Sequence, residues 1–377
     1  MKRWGDPTCT TAAALALVSM ALMPGVARAE PPPVRLAIVG LEHGHVRGFL
    51  DRLQGRSEVE LVALSDPEPS LLDAYRERTG LPRERFSSRL EAMLDAARPQ
   101  AVAVFTSTYD HLKVVEACAA RGIHVMMEKP LAVSLEHARR MAEAAARGRI
   151  RVLVNYETTW YPSNRAVYGA VREDALGAVR RMVAHDGHRG PKEIGVQPEF
   201  LAWLTDPVRN GGGALTDFGC YGANLFTWLM GNARPVSVTA LTQTIKPAVY
   251  PRVDDEATIL VAWPEAVGII QASWNWPFDR KDLEVYGVTG QALTVRREAV
   301  RFRLAGKAEE EVRSPVIPPP DDDPVRYLAA VVRGEVPPAG LSSLENNLVV
   351  TEILDAARES ARSGRAVHLP AQAFSAR

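Results

Sequence analysis

Cysteine is scarce in this chain, with three residues among 377. So low a count excludes the disulfide framework that stabilises many small secreted scaffolds. Cys118 and Cys220 fall in predicted helices of different domains. We expect both to be buried thiols, although an oxidising compartment would permit a disulfide between them.

The chain also has no excess of charge of either sign. Lysine and arginine number 45 and aspartate and glutamate number 45, so the formal net charge is +0. Nucleic-acid-binding domains carry a basic surface that neutralises phosphates. The sequence therefore predicts no nucleic-acid partner, while 46% hydrophobic residues are enough to form a buried core.

An apolar run long enough to span a membrane is missing from the N-terminal segment. Residues 12–23 are apolar apart from one serine, whereas a spanning helix needs about 20 residues. Lys2 and Arg3 precede this run, and Ala27, Arg28 and Ala29 follow it as a small-residue cleavage site. We predict a signal peptide over residues 1–29, export to the periplasm or the medium, and no membrane span in the mature chain.

From residue 34 onward, short apolar runs alternate with helical patterns, as in LAIVG, VELVALSD, AVAVF and HVMME. This alternation predicts an α/β domain over 34–150, a Rossmann-like doubly wound parallel sheet. Longer alternating strands follow and predict a C-terminal α+β domain over 151–369 with a large, mainly antiparallel open sheet. One helix, roughly 214–230, interrupts these strands, and two helices within 325–363 close the domain.

The first predicted turn lacks a complete dinucleotide-binding fingerprint. G-x-G-x-x-G would begin at Gly40, but Glu42 and His45 occupy the second and third glycine positions. His43 and His45 could donate hydrogen bonds to a pyrophosphate, or Gly44 could reopen the turn in a shifted register. Alternatively, the protein has lost its cofactor and kept the scaffold. With Leu41, these residues are the predicted cofactor loop.

Polar residues follow the carboxyl ends of the other predicted parallel strands, where such sheets bind ligands. Asp66 ends the second strand, 26 residues beyond Gly40, at the distance expected of an acid that binds the adenosine ribose. Its carboxylate would repel a ribose phosphate, so we predict NAD rather than NADP. The remaining cofactor-binding candidates at this edge are Pro67, Thr106, Ser107, His111, Glu128 and Lys129.

The stretch GGGALTDFGCYGANLF, residues 211–226, carries the second group of candidates. Asp217, Tyr221 and Asn224 are spaced i, i+4, i+7, which predicts a carboxylate, a phenol and an amide on one helix face. The three glycines at 211–213 would let backbone approach a ligand closely.

The motifs EKP at 128–130, TSTYDH before it and GGGALTDFGCY after it resemble those of the glucose-fructose oxidoreductase, inositol dehydrogenase and MocA (Gfo/Idh/MocA) family. The resemblance covers residues 34–369. It implies an NAD(P)-dependent oxidoreductase in which Lys129 faces the nicotinamide and the substrate, and Asp217 matches the family aspartate. Tyr221 stands where the family has a catalytic histidine, as in its tyrosine-type branch.

The resemblance implies a small carbohydrate or polyol substrate, with Tyr221 as acid/base, Lys129 and Asp217 as its catalytic partners, and Tyr156 and Trp160 in the segment over the substrate. A nearby Lys129 would lower the pKa of the Tyr221 phenol. Hydride chemistry used only transiently, for glycoside cleavage or epimerisation, is one alternative. A non-catalytic carbohydrate-binding scaffold is another.

Two further groups of residues stand outside these motifs. His185, Asp186 and His188 have metal-like composition but no identifiable third partner, so we predict a loop beside the sheet and no metal site. Trp274 and Trp276 alternate on one strand face, where they would stack on a sugar or pack against a second subunit. We predict a homo-oligomer formed through the C-terminal sheet.

Overall fold

A computed structural model describes residues 31–370, and the predicted signal peptide 1–29 lies outside the described residues. Six strands form a parallel sheet in the order β3-β2-β1-β4-β5-β6. This order is that of a doubly wound sheet, so the predicted Rossmann-like fold is confirmed. The strands are β1 Val34–Val39, β2 Val59–Ser65, β3 Phe86–Ser87, β4 Ala101–Val104, β5 His124–Glu128 and β6 Val152–Asn155.

Helices connect these strands and cover both faces of the sheet, which is why the strands are nearly continuous apolar runs. They are α1 His45–Leu53, α2 Pro69–Thr79, α3 Leu90–Ala97, α4 His111–Ala119 and α5 Leu135–Gly148. Ser134 caps α5 by accepting a hydrogen bond from the His137 backbone N–H, and the helix ends at Gly148, both as its sequence predicts.

The second sheet has nine strands in the order β14-β13-β12-β11-β7-β10-β9-β8-β15. Only β7 and β10 pair in parallel, so the predicted mainly antiparallel sheet is confirmed. The strands are β7 Val179–Gly187, β8 Ser237–Gln243, β9 Glu256–Ala262, β10 Val267–Ser273, β11 Arg280–Gly287, β12 Gly290–Arg296, β13 Ala299–Leu304, β14 Glu310–Arg313 and β15 Val367–His368.

Six helices follow the parallel sheet in the chain, and two of them, α6 and α7, were not predicted from the sequence. They are α6 Pro162–Arg172, α7 Pro198–Leu204, α8 Ala214–Asp217, α9 Gly219–Leu229, α10 Pro324–Val332 and α11 Leu344–Ser363. The predicted single helix over 214–230 is two helices, because the chain bends at Phe218. Its backbone hydrogen bond to Ala214 ends the short α8.

The structure moves two boundaries away from the sequence prediction. The parallel sheet continues past residue 150, because Val152–Asn155 pairs with β5 as its sixth strand. Helix α10 belongs to the core of this first sheet, since Val325, Leu328 and Val331 pack in the cluster that contains Leu36 and Ile38. The predicted closing helices therefore divide between the two sheets, and α11 packs on β8 and α9.

Cys118 and Cys220 are both buried free thiols, as expected. Within residues 31–370, every helix is too short or too polar to cross a bilayer.

Candidate active site

The carboxyl edge of the parallel sheet brings the predicted cofactor residues together. Gly40 follows β1, Asp66 follows β2, Thr106 follows β4 and Lys129 follows β5. Since parallel neighbours end at the same edge, these residues line one continuous rim.

A cavity of about 360 Å³ opens at this rim beside Asp66. One carboxylate oxygen of Asp66 accepts from the Leu41 backbone N–H at 2.6 Å, and the other accepts from the Glu68 backbone N–H at 2.8 Å. Burial raises the pKa of Asp66, although both backbone donors act against that shift. The carboxylate is thus fixed in the cavity wall, together with Gly40, Pro67 and Thr106.

Gly40 is required by the close approach of the neighbouring strand. Its φ is +86°, and a Cβ there would lie 2.5 Å from the Thr106 backbone nitrogen. A cradle of this kind, with an acid at the end of the next strand, fits the adenosine half of a dinucleotide.

Glu42 of the cofactor loop makes its polar contacts within the protein. Glu42 accepts from the Ser107 backbone N–H at 2.9 Å and from the Arg209 guanidinium at 2.8 Å. Arg209 therefore lines the Asp66 cavity, an arginine that the local sequence around Asp66 does not reveal. Its charge is already paired with Glu42.

The His43 ring packs into the protein interior. Its ring is 2% exposed and lies 4.4 Å from the ring centroid of Phe200 and 5.5 Å from that of Trp203, both on α7. Its Nδ1 accepts from the His45 backbone N–H at 3.1 Å, so this nitrogen cannot donate to a phosphate. Burial lowers the pKa of His43 well below its ordinary value. The hydrogen bond to a pyrophosphate that the sequence allowed for His43 therefore cannot be made by Nδ1.

Ser107 and His111 are held by internal contacts at this edge. The Ser107 hydroxyl donates to Asp110 at 2.6 Å, and His111 Nδ1 lies 3.1 Å from the Leu131 carbonyl oxygen. Both side chains are fully buried. They support the rim and the turn after Lys129 rather than lining the cavity.

Lys129, directly after β5, meets Asp217, the last residue of α8. The lysine Nζ donates to Asp217 Oδ1 at 2.5 Å and to the Asp217 carbonyl oxygen at 2.9 Å. Burial disfavours the ammonium, but the carboxylate outweighs it, so the pKa of Lys129 is raised. The pKa of Asp217 is lowered in turn, because Lys129 outweighs burial. The pair is ionised and buried.

Trp274 donates a hydrogen bond to the aspartate of this pair, a contact that the sequence did not predict. Its indole Nε1 donates to Asp217 Oδ2 at 3.0 Å, and the ring is fully buried against Tyr250. The expectation that Trp274 stacks on a sugar or on a second subunit is therefore wrong.

Tyr221 lies beside the pair at the start of α9. The Lys129 ammonium is 5.1 Å from the Tyr221 ring centroid, and the Lys281 ammonium is 5.2 Å from it. Tyr156 meets the ring edge-on at 5.5 Å. Burial raises the pKa of the phenol well above its ordinary value, and the Glu157 carboxylate adds to that shift. The expected lowering by Lys129 is thus wrong, and the resting side chain is a neutral phenol.

Asn224 does not join Asp217 and Tyr221, because its side chain is fully buried against α11 and the segment before it. Its amide donates to the Leu341 carbonyl oxygen at 2.9 Å and contacts Asn347 on α11. The predicted common helix face is therefore wrong, and Asn224 links α9 to α11.

Gly213 is required by the close approach of the segment that precedes β9. A Cβ at Gly213 would lie 1.8 Å from the Asp254 carbonyl oxygen. The Asp254 carboxylate accepts from the backbone N–H groups of Gly213 and Leu215 and so fixes the start of α8.

The segment predicted to cover the substrate forms part of the wall of a second cavity. Tyr156 is fully buried, and Trp160 donates to Asn155 Oδ1 at 2.9 Å. Trp160 lines a cavity of about 320 Å³. Glu157 lines the same cavity and pairs with Lys281 from β11, an ion pair that no sequence pattern indicated.

Asp186 is a further buried acid near this group. It lies in β7 rather than in the predicted loop, directly opposite Lys281 in the β7–β11 register. Its Oδ2 has no hydrogen-bond partner. Burial raises the pKa of Asp186 well above its ordinary value, even though Lys281 acts in the opposite direction.

Comparison with known proteins agrees with this geometry. Residues 34–156 match the model of an oxidoreductase family with an NAD-binding Rossmann fold, and residues 164–293 match the Gfo/Idh/MocA C-terminal domain. The chain belongs to the Gfo/Idh/MocA oxidoreductase family. Its first domain is accordingly an NAD-binding Rossmann domain, as the resemblance in sequence implied.

Similar proteins cover most of the chain. D-apiose dehydrogenase of Paraburkholderia graminis is 26% identical over 336 residues, which are 82% of this chain and 83% of that protein. Aldose-aldose oxidoreductase of Caulobacter crescentus has the same fold, with a TM-score of 0.77, 24% identity, and coverage of 89% of this chain and 100% of that one. The inositol dehydrogenase homolog of Azotobacter vinelandii, solved with NAD⁺, has a TM-score of 0.78 and 20% identity, and the match covers 90% of this chain and 98% of that one.

Proposed function

We propose that this protein oxidises or reduces one carbon of a sugar or cyclic polyol, with Tyr221 as the acid/base. The observation that carries the proposal is the buried Lys129–Asp217 ion pair beside the Tyr221 ring, at the carboxyl edge of an NAD-binding sheet. Sugar or polyol substrates are the chemistry named for similar proteins such as D-apiose dehydrogenase.

The residues around the Asp66 cavity fit the adenosine half of NAD. Gly40, Leu41, Asp66, Pro67 and Thr106 would hold the adenosine, with Asp66 accepting from the ribose hydroxyls. NAD, when bound, supplies the group that accepts or gives up a hydride. We place its nicotinamide end near Glu128 and Lys129, where β5 ends.

Tyr221 would transfer the proton. A neutral phenol is the form that donates to a carbonyl oxygen during reduction, and burial keeps Tyr221 in that form. During oxidation the phenol must first ionise, and the ammonium groups of Lys129 and Lys281 near its ring would stabilise the phenolate, which then accepts the substrate hydroxyl proton. Asp217 would keep Lys129 charged and in position.

One experiment tests the cofactor part directly. The purified protein is denatured and the released nucleotide is identified by its absorbance and mass. NAD in the supernatant, or tight binding of added NAD, is the expected result. Absence of both would favour the carbohydrate-binding scaffold, and NADP would overturn the role given to Asp66.

The burial of the cofactor loop favours a second candidate function, in which NAD stays bound and the hydride is returned to the substrate within each cycle. Leu41 and His43 are almost fully buried, and Arg209 fastens the segment after α7 to Glu42. Such a cycle would cleave or epimerise a glycoside without net release of NADH. Product formation from a glycoside with no rise in free NADH would distinguish it from a simple dehydrogenase.

We further propose a homo-oligomer through the open face of the second sheet. Leu241 on β8 and Leu260 on β9 are 63% and 42% exposed there. A second copy would cover this apolar surface. Light scattering of the protein and of a variant with Leu241→Lys would show whether the mass falls.

Export remains a proposal that rests on residues 1–29. Cell fractionation with and without this segment would test it, with the protein expected outside the cytoplasm only when the segment is present.

A further inference from the structure

The cofactor loop contains two histidines where the glycine fingerprint has small residues, and its structure brings both to one carboxylate. One ring nitrogen of His43, one of His45 and one oxygen of Glu128 all lie within 4.8 Å of one another. His45 Nδ1 is 3.1 Å from Glu128 Oε2. Among residues 31–370, these form the one cluster of three or more such side chains with metal-ligand spacing.

The carboxylate of this cluster is held in a fixed orientation. Glu128 is 4% exposed, and its Oε1 accepts from the Asn155 amide at 3.1 Å. The Asn155 carbonyl oxygen accepts in turn from the Trp160 indole at 2.9 Å. Metal-binding carboxylates are commonly oriented by hydrogen bonds of this kind.

The His43 ring is equally fixed, and packing alone does not explain its chemistry. Phe200 and Trp203 hold the ring by aromatic contacts that a phenylalanine would make as well. Nδ1 accepts a hydrogen bond, so this nitrogen carries a lone pair and no proton. That lone pair is partnered by the His45 backbone N–H, and a transition-metal ion at Nδ1 would replace this hydrogen bond.

The cluster also has an open side. His45, Glu128 and Glu157 line the cavity of about 320 Å³ that contains Trp160. The His45 side chain is 51% exposed and can rotate toward the other two groups. With bonds of about 2.0–2.2 Å, neighbouring ligand atoms of a tetrahedral ion lie roughly 3.3–3.6 Å apart. The His45–Glu128 spacing of 3.1 Å is close to this value, and the wider spacings, which reach up to 4.8 Å, must shorten by about 1 Å when an ion binds.

We propose that His43, His45 and Glu128 form a three-ligand site for a divalent transition-metal ion. Two imidazoles and one carboxylate suit Zn²⁺ and Co²⁺ and suit Mg²⁺ poorly, because imidazole is a ligand of borderline-soft ions. The fourth position faces the cavity and would take water or a hydroxyl oxygen of a bound molecule. The site goes beyond the acid/base role of Tyr221 and does not depend on it.

The positive end of the α1 dipole opposes a cation at this place, since His45 is the first residue of α1. Glu128 supplies a negative charge in direct contact, which offsets this effect, whereas the charge of Glu157 in the same cavity is paired with Lys281.

The test uses the full-length protein after removal of bound metal with a chelator. Co²⁺ is titrated while its visible absorption is followed, and Zn²⁺ is counted by mass spectrometry after gel filtration. We expect one ion per chain and a tetrahedral Co²⁺ spectrum. His43→Phe, His45→Asn and Glu128→Gln should each weaken binding by about 10- to 100-fold or more.

His124→Asn is the matched control, because His124 lies at the opposite end of β5 from Glu128. This variant should bind the ions as the unmodified protein does. Unchanged binding in His43→Phe or His45→Asn, equal loss in the control, or no binding by the unmodified protein would each overturn the site. His45→Asn alters a half-exposed side chain, so it remains informative if the buried variants fail to fold. NAD binding is measured in parallel, so that loss of cofactor binding is distinguished from loss of the metal.

Discussion

The Lys129 ammonium lies 2.5 Å from Asp217 Oδ1, and this contact joins the end of a parallel strand to the short helix α8 of the second sheet. Both side chains are only 8% exposed. Removing one partner of such a buried ion pair strongly destabilises the fold, since the other charge is left without compensation.

Replacing Lys129 with methionine should therefore destabilise the fold as well as stop catalysis. We expect Lys129→Met to lower the free energy of unfolding by about 3–5 kcal/mol. Adding Asp217→Asn should recover much of that loss without restoring turnover, because the stranded carboxylate is removed. Urea denaturation of the two single variants and the double variant gives the coupling. A double variant no more stable than Lys129→Met would contradict a direct ionic link.

Tyr221→Phe removes only the oxygen that would transfer the proton. We expect turnover to fall by about 100- to 10,000-fold, with NAD affinity nearly unchanged. Tyr168→Phe is the matched control, since that ring stacks on Trp228 away from Lys129. Steady-state kinetics and NAD titration measure both effects. Retention of more than about a tenth of the turnover would remove Tyr221 as the acid/base.

Asp66→Ser tests the preference for NAD. A fixed carboxylate in the cavity wall repels a ribose phosphate, and Arg209 is already paired with Glu42. The NADP-to-NAD affinity ratio should rise by about tenfold or more in this variant. Glu60→Gln is the control on the same strand, because its side chain is exposed and pairs with Arg35. Equal ratios in Asp66→Ser and the unmodified protein would count against the assignment.

Asp186→Asn should stabilise the protein at neutral pH. The pKa of Asp186 is raised in the fold, so the unfolded chain gives up a proton that the folded chain retains. Stability is then lost as the pH rises above the ordinary value of 3.8, and asparagine removes that loss. Thermal melts should show a higher Tm for Asp186→Asn and a lower one for Asp217→Asn. A lower Tm in both would mean that Asp186 is ionised and paired.

Acid should destabilise the fold through His111. Burial lowers its pKa from 6.5 to about 4, so between these values the unfolded chain binds a proton that the folded chain excludes. Stability falls as the pH drops through this window, by about 3 kcal/mol from this residue. His111→Asn should lack that part of the slope, whereas His368→Asn, at an exposed position, should keep it. Identical slopes in denaturation series from pH 7 to about 4 would disprove this contribution.

The sequence was sufficient for both sheets and for the residues at the strand ends. Asp66 and Lys129 could be predicted because each follows a strand whose order in the chain determines its place at the rim. Trp274 and Lys281 could not, because their neighbours are set by the register between strands far apart in sequence. The direction of the Tyr221 shift was wrong for a related reason: burial outweighs a nearby charge, and burial is a property of the packed structure.

The bend at Phe218 shows where local pattern fails. An i, i+4, i+7 spacing predicts a common face only if the helix is continuous, and Gly219, directly after Phe218, weakens helix propensity there. Asp254 fixes the start of α8 from a distance, by accepting the backbone N–H groups of Gly213 and Leu215.

Helix α10 has a consequence for how the chain is made. The core of the first sheet includes Val325, Leu328 and Val331, although its six strands are complete at Asn155. During synthesis the apolar face of the sheet that α10 covers stays exposed until the ribosome has added more than half of the residues that follow Asn155. A fragment ending near residue 156 would therefore aggregate, and chaperones would be expected to hold the nascent first half until α10 emerges.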